Sequence, residues 1–162
     1  MLVLGVDPGS RATGYGLVEK RDNQMICVGA GAIVSPGMIP FYERVYNIFR
    51  SMIDIMDRYK PREMAIEDLF FAKNVKSSLK LGHARGAALT AAVHCGVKVF
   101  EYTPLEIKKS VVGYGRATKD QIGAMVRVIL KLQAPLGSDT SDALAAAICH
   151  LNWTRFENRN GY

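Results

Sequence analysis

Apolar and polar residues alternate along the first part of the chain in a pattern that is typical of β-strands. Gly14 and Gly16 alternate there with Tyr15 and Leu17, which leaves one face of a strand almost bare. Short turns interrupt the pattern twice. We therefore predict three successive strands, at residues 2–7, 13–20 and 24–35.

The rest of the chain alternates between helical and strand patterns. An apolar stripe at helical spacing follows Pro40, and this helix must end before Pro61. Thr103 and Thr118 each begin a capping box, the local signal for the start of a helix. Beyond the first helix, the pattern predicts strands at 64–67 and 97–102 and helices at 75–95, 103–113, from 118 onward and at 139–152.

The order of these elements indicates the fold class. Three hairpin-linked strands precede an alternation of helices and strands, and such alternation implies parallel pairing through right-handed crossovers. We predict an α/β fold with a mixed five-stranded sheet, in which three antiparallel strands are followed by parallel additions and helices cover both faces. A single domain is expected over residues 1–152, followed by a loosely ordered polar tail at 153–162.

Composition adds a basic charge to this picture. The 162 residues are 49% hydrophobic, which suits one domain with a sizeable core. The formal net charge is +6 and the pI is about 9.3, as expected of a protein with a polyanionic partner. The basic residues are concentrated in two groups, Lys73, Lys76, Lys80 and Arg85, and then Lys108, Lys109, Arg116 and Lys119.

Cysteines and apolar runs bear on the cellular location. Cys27, Cys95 and Cys149 are widely separated and form no Cys-x-x-Cys pair for zinc or redox chemistry. No stretch approaches the roughly 18 apolar residues that a membrane-spanning helix needs, and the N-terminus has no signal-peptide pattern. We expect a reduced, soluble, cytoplasmic protein without a membrane partner.

Acidic residues stand at the ends of three separate elements. Asp7 closes the first strand, Glu67 closes the fourth, and Asp139 and Asp142 share one face at the start of the last helix. Each has a simpler explanation, since aspartate favours turns and acids complement the dipole at a helix start. Together they indicate one metal site, because strand ends meet at one edge of such a sheet and grouped carboxylates need a cation.

Five short motifs stand out along the chain. They are Val-Asp-Pro-Gly-Ser at 6–10, Ala-Ile-Glu at 65–67, Lys-Leu-Gly-His-Ala-Arg-Gly at 80–86, Val-Val-Gly-Tyr-Gly at 111–115 and Ser-Asp-Thr-Ser-Asp-Ala-Leu-Ala at 138–145. In this order, and over about residues 1–152, they resemble the RuvC-type Holliday junction resolvases. The resemblance implies a ribonuclease H-like fold, in agreement with the predicted strand order.

The resemblance also implies a function. A member of this family would be a magnesium-dependent homodimer that makes paired, symmetric nicks in four-way DNA junctions, with a branch-migration helicase complex as a further partner. Asp7, Glu67, Asp139 and Asp142 match the family's metal-binding acids. They would hold two magnesium ions, with manganese as an alternative, and the products would carry 5′-phosphate and 3′-hydroxyl ends.

The same resemblance suggests residues that contact DNA. Lys108 and Lys119 match basic positions beside the acids and are predicted to assist catalysis. Phe70 matches an aromatic close to the junction, and either Phe70 or Phe71 could stack on an unpaired base, unless one ring lies in the core and the other under a loop. Further DNA contacts are predicted at Lys73, Lys76, Lys80, Arg85, Lys109, Tyr114 and Arg116. His83, His94 and His150 are expected to be structural.

Three other functions remain open on the sequence alone. A ribonuclease H acting on RNA–DNA hybrids would share the acids, and a substrate panel separates the two nucleases. Actin-like ATPases share the Asp-x-Gly signal of the first strand, but they need two such domains and further phosphate loops. A non-catalytic nucleic-acid-binding module would have no reason to keep four converging acids.

The predicted helix at 75–95 bears on the assembly. Its glycines and alanines allow another helix to approach closely, so we place the contact between two copies of the chain on or beside this face. The alternative is that the small face packs on the protein's own sheet. The residues concerned are Gly82, Gly86, Ala84, Ala87, Ala88, Ala91 and Ala92.

Overall fold

The computed structural model describes the backbone of residues 1–68 and 74–160, and the side chains of these ranges as far as residue 154. None of the helices in these ranges is both long and apolar enough to cross a membrane. The elements are β1 (Leu2–Asp7), β2 (Ala12–Arg21), β3 (Gln24–Val34), α1 (Phe41–Tyr59), β4 (Glu63–Glu67), α2 (Val75–His94), β5 (Lys98–Tyr102), α3 (Pro104–Val112), α4 (Lys119–Leu130) and α5 (Ser138–Asn160).

The sheet has the predicted mixed topology. Its strand order is β3-β2-β1-β4-β5, with β1 in the centre. Strand β1 runs antiparallel to β2 and parallel to β4, and β4 runs parallel to β5. Val6 pairs with Ile66 in the parallel register, so Asp7 and Glu67 follow at neighbouring positions on the same edge of the sheet.

Helices cover both faces, as the sequence predicted. On one face, Val3, Val18 and Ala65 contribute to a core shared with α3, α4 and α5. On the other face, Leu4 and Leu17 contribute to a core shared with α1 and α2. The sheet is therefore packed between two apolar layers. These layers fix the position of the strand ends that carry Asp7 and Glu67.

Helix α5 lies directly on the sheet because glycines replace side chains beneath it. A Cβ atom at any of three strand glycines would overlap atoms of this helix. The bare face predicted for the second strand therefore accommodates α5, and it brings the first turn of the helix against β2. The contacts pair Gly5 with Ala143, Gly14 with Asp139 and Gly16 with Leu144.

Replacing Gly5 with alanine should destabilise the protein, because the added methyl group would meet the backbone of Ala143 rather than a movable side chain. We expect the free energy of unfolding to fall by about 3 kcal/mol, the upper end of the range for an overpacked core. Urea denaturation measures this change. Gly37→Ala is the matched control, since Gly37 has open space around it, and its stability should stay near that of the wild type.

The structure corrects two expectations. Helix α5 continues to Asn160 rather than ending at residue 152, while the loose order predicted for residues 153–162 stays a prediction. The alanines of α2 pack in the chain's own core, where Ala88 and Ala91 are fully buried, so they are not available to a second chain. A contact between chains on or beside the rest of this helix stays a prediction. Small side chains let α2 approach that core, whereas Gly82 and Gly86 face open space.

Candidate active site

Three elements bring the predicted acids to one edge of the sheet. Asp7 ends β1, Glu67 ends the adjacent β4, and α5 begins beside them. Asp7, Glu67 and Asp142 line a cavity of about 230 Å³ together with Lys108 and Lys119. Its apolar wall consists of Pro104, Ile107, Ile122 and Ala145. The cavity combines carboxylates, ammonium groups and an apolar wall, as expected of a site that handles a charged substrate in a partly dry environment.

Asp139 stands apart from the other three acids. It does not belong to the wall of this cavity in the described part of the chain, although its backbone lies against Gly14. Its negative charge nevertheless acts on Asp7 and helps to raise the pKa of that carboxyl. The structure therefore groups Asp7, Glu67 and Asp142 closely and places Asp139 at the margin of the group.

Lys119 is paired with a carboxylate. Thr118 and Gln121 form the predicted capping box, which fixes the first turn of α4, where Lys119 lies. Its Nζ donates a hydrogen bond to Asp142 Oδ2 at 2.7 Å. This bond is the main cause of a raised Lys119 pKa, and the charges of Asp7 and Glu67 add to it. The sequence predicted that this lysine assists catalysis but gave no sign of the bond to Asp142.

Among the carboxyls of the site, that of Asp7 has the pKa that is shifted furthest from its ordinary value. Burial raises its pKa from 3.8 to about 7, and the negative charges of Asp142, Glu67 and Asp139 add to the effect, while Lys119 opposes it. Burial also raises the pKa of Glu67, and Asp142 adds to that shift. The carboxylates thus repel one another, and a further cation would relieve this repulsion.

The donor chemistry of the site fits a hard divalent cation. All of the candidate ligands are carboxylates, whose oxygens suit magnesium. Among the side chains of residues 1–68 and 74–154, no three acidic, histidine or cysteine groups converge at metal-ligand spacing, and Lys119 forms an ion pair with Asp142. The fit therefore rests on the type of donor and on the raised pKa of Asp7, which burial causes first and the neighbouring acids increase.

The stability of the metal-free protein should fall as the pH rises. The unfolded chain loses the Asp7 proton near 3.8, whereas the folded protein keeps it until about pH 7. Between these values the folded state binds more protons, so the free energy of unfolding decreases with rising pH and levels off above the window. Urea denaturation in chelator at about pH 5 and about pH 8 measures the change.

The variant Asp7→Asn provides the control, because its amide does not titrate. It should lose less stability than the wild type between the two pH values, although Glu67 contributes in the same direction. Equal losses in both proteins would show that the Asp7 carboxyl is not held in its protonated form.

The predicted DNA contacts are distributed unevenly over the structure. Phe70, Phe71 and Lys73 lie outside the described residues, and their roles stay predictions. Lys76 is exposed near the start of α2, whereas the Lys80 ammonium lies 5.7 Å from the ring centre of Phe41. On the other side of the site, Lys109, Tyr114 and Arg116 are exposed at the end of α3 and in the following loop.

Arg85 differs from these open side chains, since only 12% of its side chain is exposed. Its guanidinium group forms ion pairs with Asp68 and Glu101. The sequence predicts a DNA contact at Arg85, and its local pattern gives no sign of the two carboxylates that pair with it.

His150 is a buried structural residue, as predicted. Its Nε2 lies 2.7 Å from the Glu63 carboxylate, and its Nδ1 lies 2.6 Å from the Tyr102 hydroxyl. His83 and His94 pack edge-on against aromatic rings of α1. These contacts account for all three histidines without a role in the carboxylate site.

The chain is similar to known proteins over nearly its whole length. A family model described as "Crossover junction endodeoxyribonuclease RuvC" matches residues 3–150. The protein of that name from Citrifermentans bemidjiense is 49% identical over 150 residues, which cover 93% of this chain and 92% of its own. Its counterpart from Caldanaerobacter subterraneus is 45% identical over 163 residues, which cover 100% and 99%.

A solved structure agrees with the sequence relatives. The structure described as "T. thermophilus RuvC in complex with Holliday junction substrate" superposes with a TM-score of 0.88 at 31% sequence identity. The match covers 97% of each chain. Similarity in sequence and in fold therefore extends over nearly the whole length.

Proposed function

The chain belongs to the family of RuvC crossover junction endodeoxyribonucleases, with a ribonuclease H-like fold, and we propose that it cuts Holliday junctions at the carboxylate site. The observation that supports this location is the meeting of Asp7, Glu67 and Asp142 with Lys119 in one cavity. Hydrolysis of a phosphodiester needs groups that stabilise negative charge at phosphorus, and this cavity is the place where the chain concentrates them.

We further propose that Asp7, Glu67, Asp139 and Asp142 hold two magnesium ions, with manganese as an alternative. When held by these carboxylates, such ions would supply an activated water and stabilisation of the leaving oxygen, and the products would carry 5′-phosphate and 3′-hydroxyl ends without a covalent intermediate. The raised pKa of Asp7 supports this proposal, because a cation would favour the ionised carboxylate that burial and the neighbouring acids disfavour.

The lysines of the cavity have a separate role in this proposal. Lys119 neutralises Asp142 in the protein alone, and it offers a positive charge to a phosphate that enters the cavity. Lys108, from α3, lines the same cavity and adds a second ammonium group. Both would attract the scissile phosphate towards carboxylates that would otherwise repel it.

Competition between nucleic acids tests the proposed substrate. Binding of a four-way junction should weaken steeply with salt, since contacts to phosphate release counterions, and the junction should outcompete linear duplex. Cleavage of an RNA–DNA hybrid at the rate of the junction would support the ribonuclease H alternative, which the family comparisons do not favour. Equal affinity for junction and duplex would indicate a general DNA nuclease.

We also propose that the protein acts as a homodimer, since two symmetric cuts require two sites and each chain has one. An exposed stripe on α2 suits this contact. Leu79 is 60% exposed and Val93 is 74% exposed, while Gly82 and Gly86 have open space above them. These positions share one helix face with Val75 and allow close approach of a second helix.

A charged residue in this stripe should separate the dimer. Light scattering should give the wild type a mass of about twice the 17.8 kDa of one chain, and it should give Leu79→Glu the mass of a single chain. Val128→Glu, at an exposed apolar position of α4, is the matched control and should remain dimeric. A Leu79→Glu protein that keeps the double mass would move the contact to another surface.

Two further proposals rest on family membership alone. We propose a cytoplasmic location and delivery of the junction by a branch-migration helicase complex. Co-purification of the protein with a helicase that is bound to junction DNA tests the second proposal.

A further inference from the structure

Arg85 reaches from α2 to the end of β4, where the strand delivers Glu67. Its Nε lies 3.4 Å from the Glu67 carbonyl oxygen, to which it donates a hydrogen bond. The guanidinium also lies 3.8 Å from the Asp68 carboxylate and pairs closely with the Glu101 carboxylate on β5. One side chain thus links three elements at the point where the sheet presents an acid to the site.

The end of β4 is also bonded within the sheet. The backbone N–H of Asp68 donates to the carbonyl of Tyr102 at 2.8 Å, which extends the pairing of β4 with β5 beyond Glu67. Tyr102 and Glu63 both bond the buried ring of His150, which belongs to α5. On the other face of the sheet, α5 is thus bonded to β4 and β5, and on the α2 face Arg85 and its partners add polar contacts to the apolar packing.

The charges around Arg85 argue against a contact with DNA. Among the described residues, the guanidinium stands between two carboxylates, Asp68 and Glu101, whose combined negative charge exceeds its own positive charge. A phosphate would have to displace both acids to reach it. A planar guanidinium with several fixed donors is suited to hold such a set of oxygens in place, whereas a lysine holds one at a time.

We propose that Arg85 is a positioning residue, which fixes the carboxylate of Glu67 through the backbone that carries it. This inference rests on the proposed role of Glu67 in catalysis. Loss of the guanidinium removes the side-chain anchor of that strand end on the α2 face. A displacement of about 1 Å at a reacting centre can lower a rate by about 100-fold.

Arg85→Met tests the proposal, because methionine keeps much of the apolar stem and loses the fork. Single-turnover cleavage of a four-way junction should be at least about tenfold slower at saturating protein, within the range for misplaced groups. Junction affinity in chelator and its salt dependence should stay close to those of the wild type. Arg85→Lys should recover only part of the rate, and Arg50→Met, which removes an exposed charge from α1, should leave the rate unchanged.

Glu101→Gln provides an independent variant, in which Arg85 is intact but loses its nearest partner. Removal of a negative charge would favour DNA binding, so slower cleavage with equal or tighter binding can only come from altered positioning. The double variant Arg85→Met with Glu101→Gln should be less impaired than the sum of the two single changes in log rate, because both remove one interaction.

The outcomes separate this proposal from the proposed function. Wild-type protein that does not cut the junction would overturn the function itself. Wild-type cleavage with unchanged rates in Arg85→Met and Glu101→Gln would overturn the positioning role alone. A weaker junction affinity in Arg85→Met, with a salt slope smaller by about one and a normal saturating rate, would identify Arg85 as a phosphate contact instead.

Discussion

Replacing Asp7 with asparagine should lower the single-turnover rate of junction cleavage on the order of 1,000-fold, the upper end of the loss when one electrostatic group of an active site is removed. The amide keeps the size of the side chain and removes the charge that a cation requires. Junction binding in chelator should be equal or tighter, because one negative charge near phosphate is lost. Gel shift and quenched-flow cleavage measure the two effects separately.

The same change at the other acids extends this test. Glu67→Gln and Asp142→Asn should approach the loss of Asp7→Asn, since all three carboxylates line one cavity. Asp139→Asn is expected to follow them if the bound ions draw this marginal residue into the site. Asp54→Asn, an exposed acid on α1, is the matched control. Near-normal turnover in any of the four site variants would remove that residue from the catalytic set.

Replacing Lys119 with methionine should slow cleavage by about 100-fold, as for the loss of one group that stabilises developing charge. The variant loses the 2.7 Å bond to Asp142 and a positive charge that lowers the pKa of Asp7. Cleavage should therefore also require a higher pH, because Asp7 keeps its proton longer.

Lys98→Met is the control for this prediction, since Lys98 is exposed at the start of β5, away from the cavity. A pH–rate profile at saturating substrate distinguishes the two effects of Lys119. A Lys119→Met protein with the wild-type rate and profile would show that the ion pair only serves to hold α4 against α5.

Local sequence signals predicted the order of strands and helices well, because turns and capping residues mark where most of these elements begin. The capping boxes at Thr103 and Thr118 start α3 and α4, as expected. The alternation of strands and helices then determined parallel pairing of β1 with β4, which brings Asp7 and Glu67 together. Glycines at alternate positions of β2 indicated a bare face, although the sequence did not tell that α5 occupies it.

Contacts between distant elements were the part that the sequence could not predict. The bond of Lys119 to Asp142 depends on how α4 packs on α5, and the burial of Arg85 depends on where α2 crosses the sheet. A row of alanines suits an interface between chains and an intramolecular core equally well. Only the packing in the structure shows that Ala88 and Ala91 belong to the core, because the sequence pattern does not indicate which residues surround them.

Cleavage of a synthetic four-way junction by the purified protein tests the central claim most directly, with each strand labelled in turn and with magnesium compared against chelator. We predict paired nicks in two strands of like polarity, with 5′-phosphate and 3′-hydroxyl ends, in magnesium only. Cleavage that continues unchanged in chelator, or that proceeds equally on linear duplex, would contradict this claim.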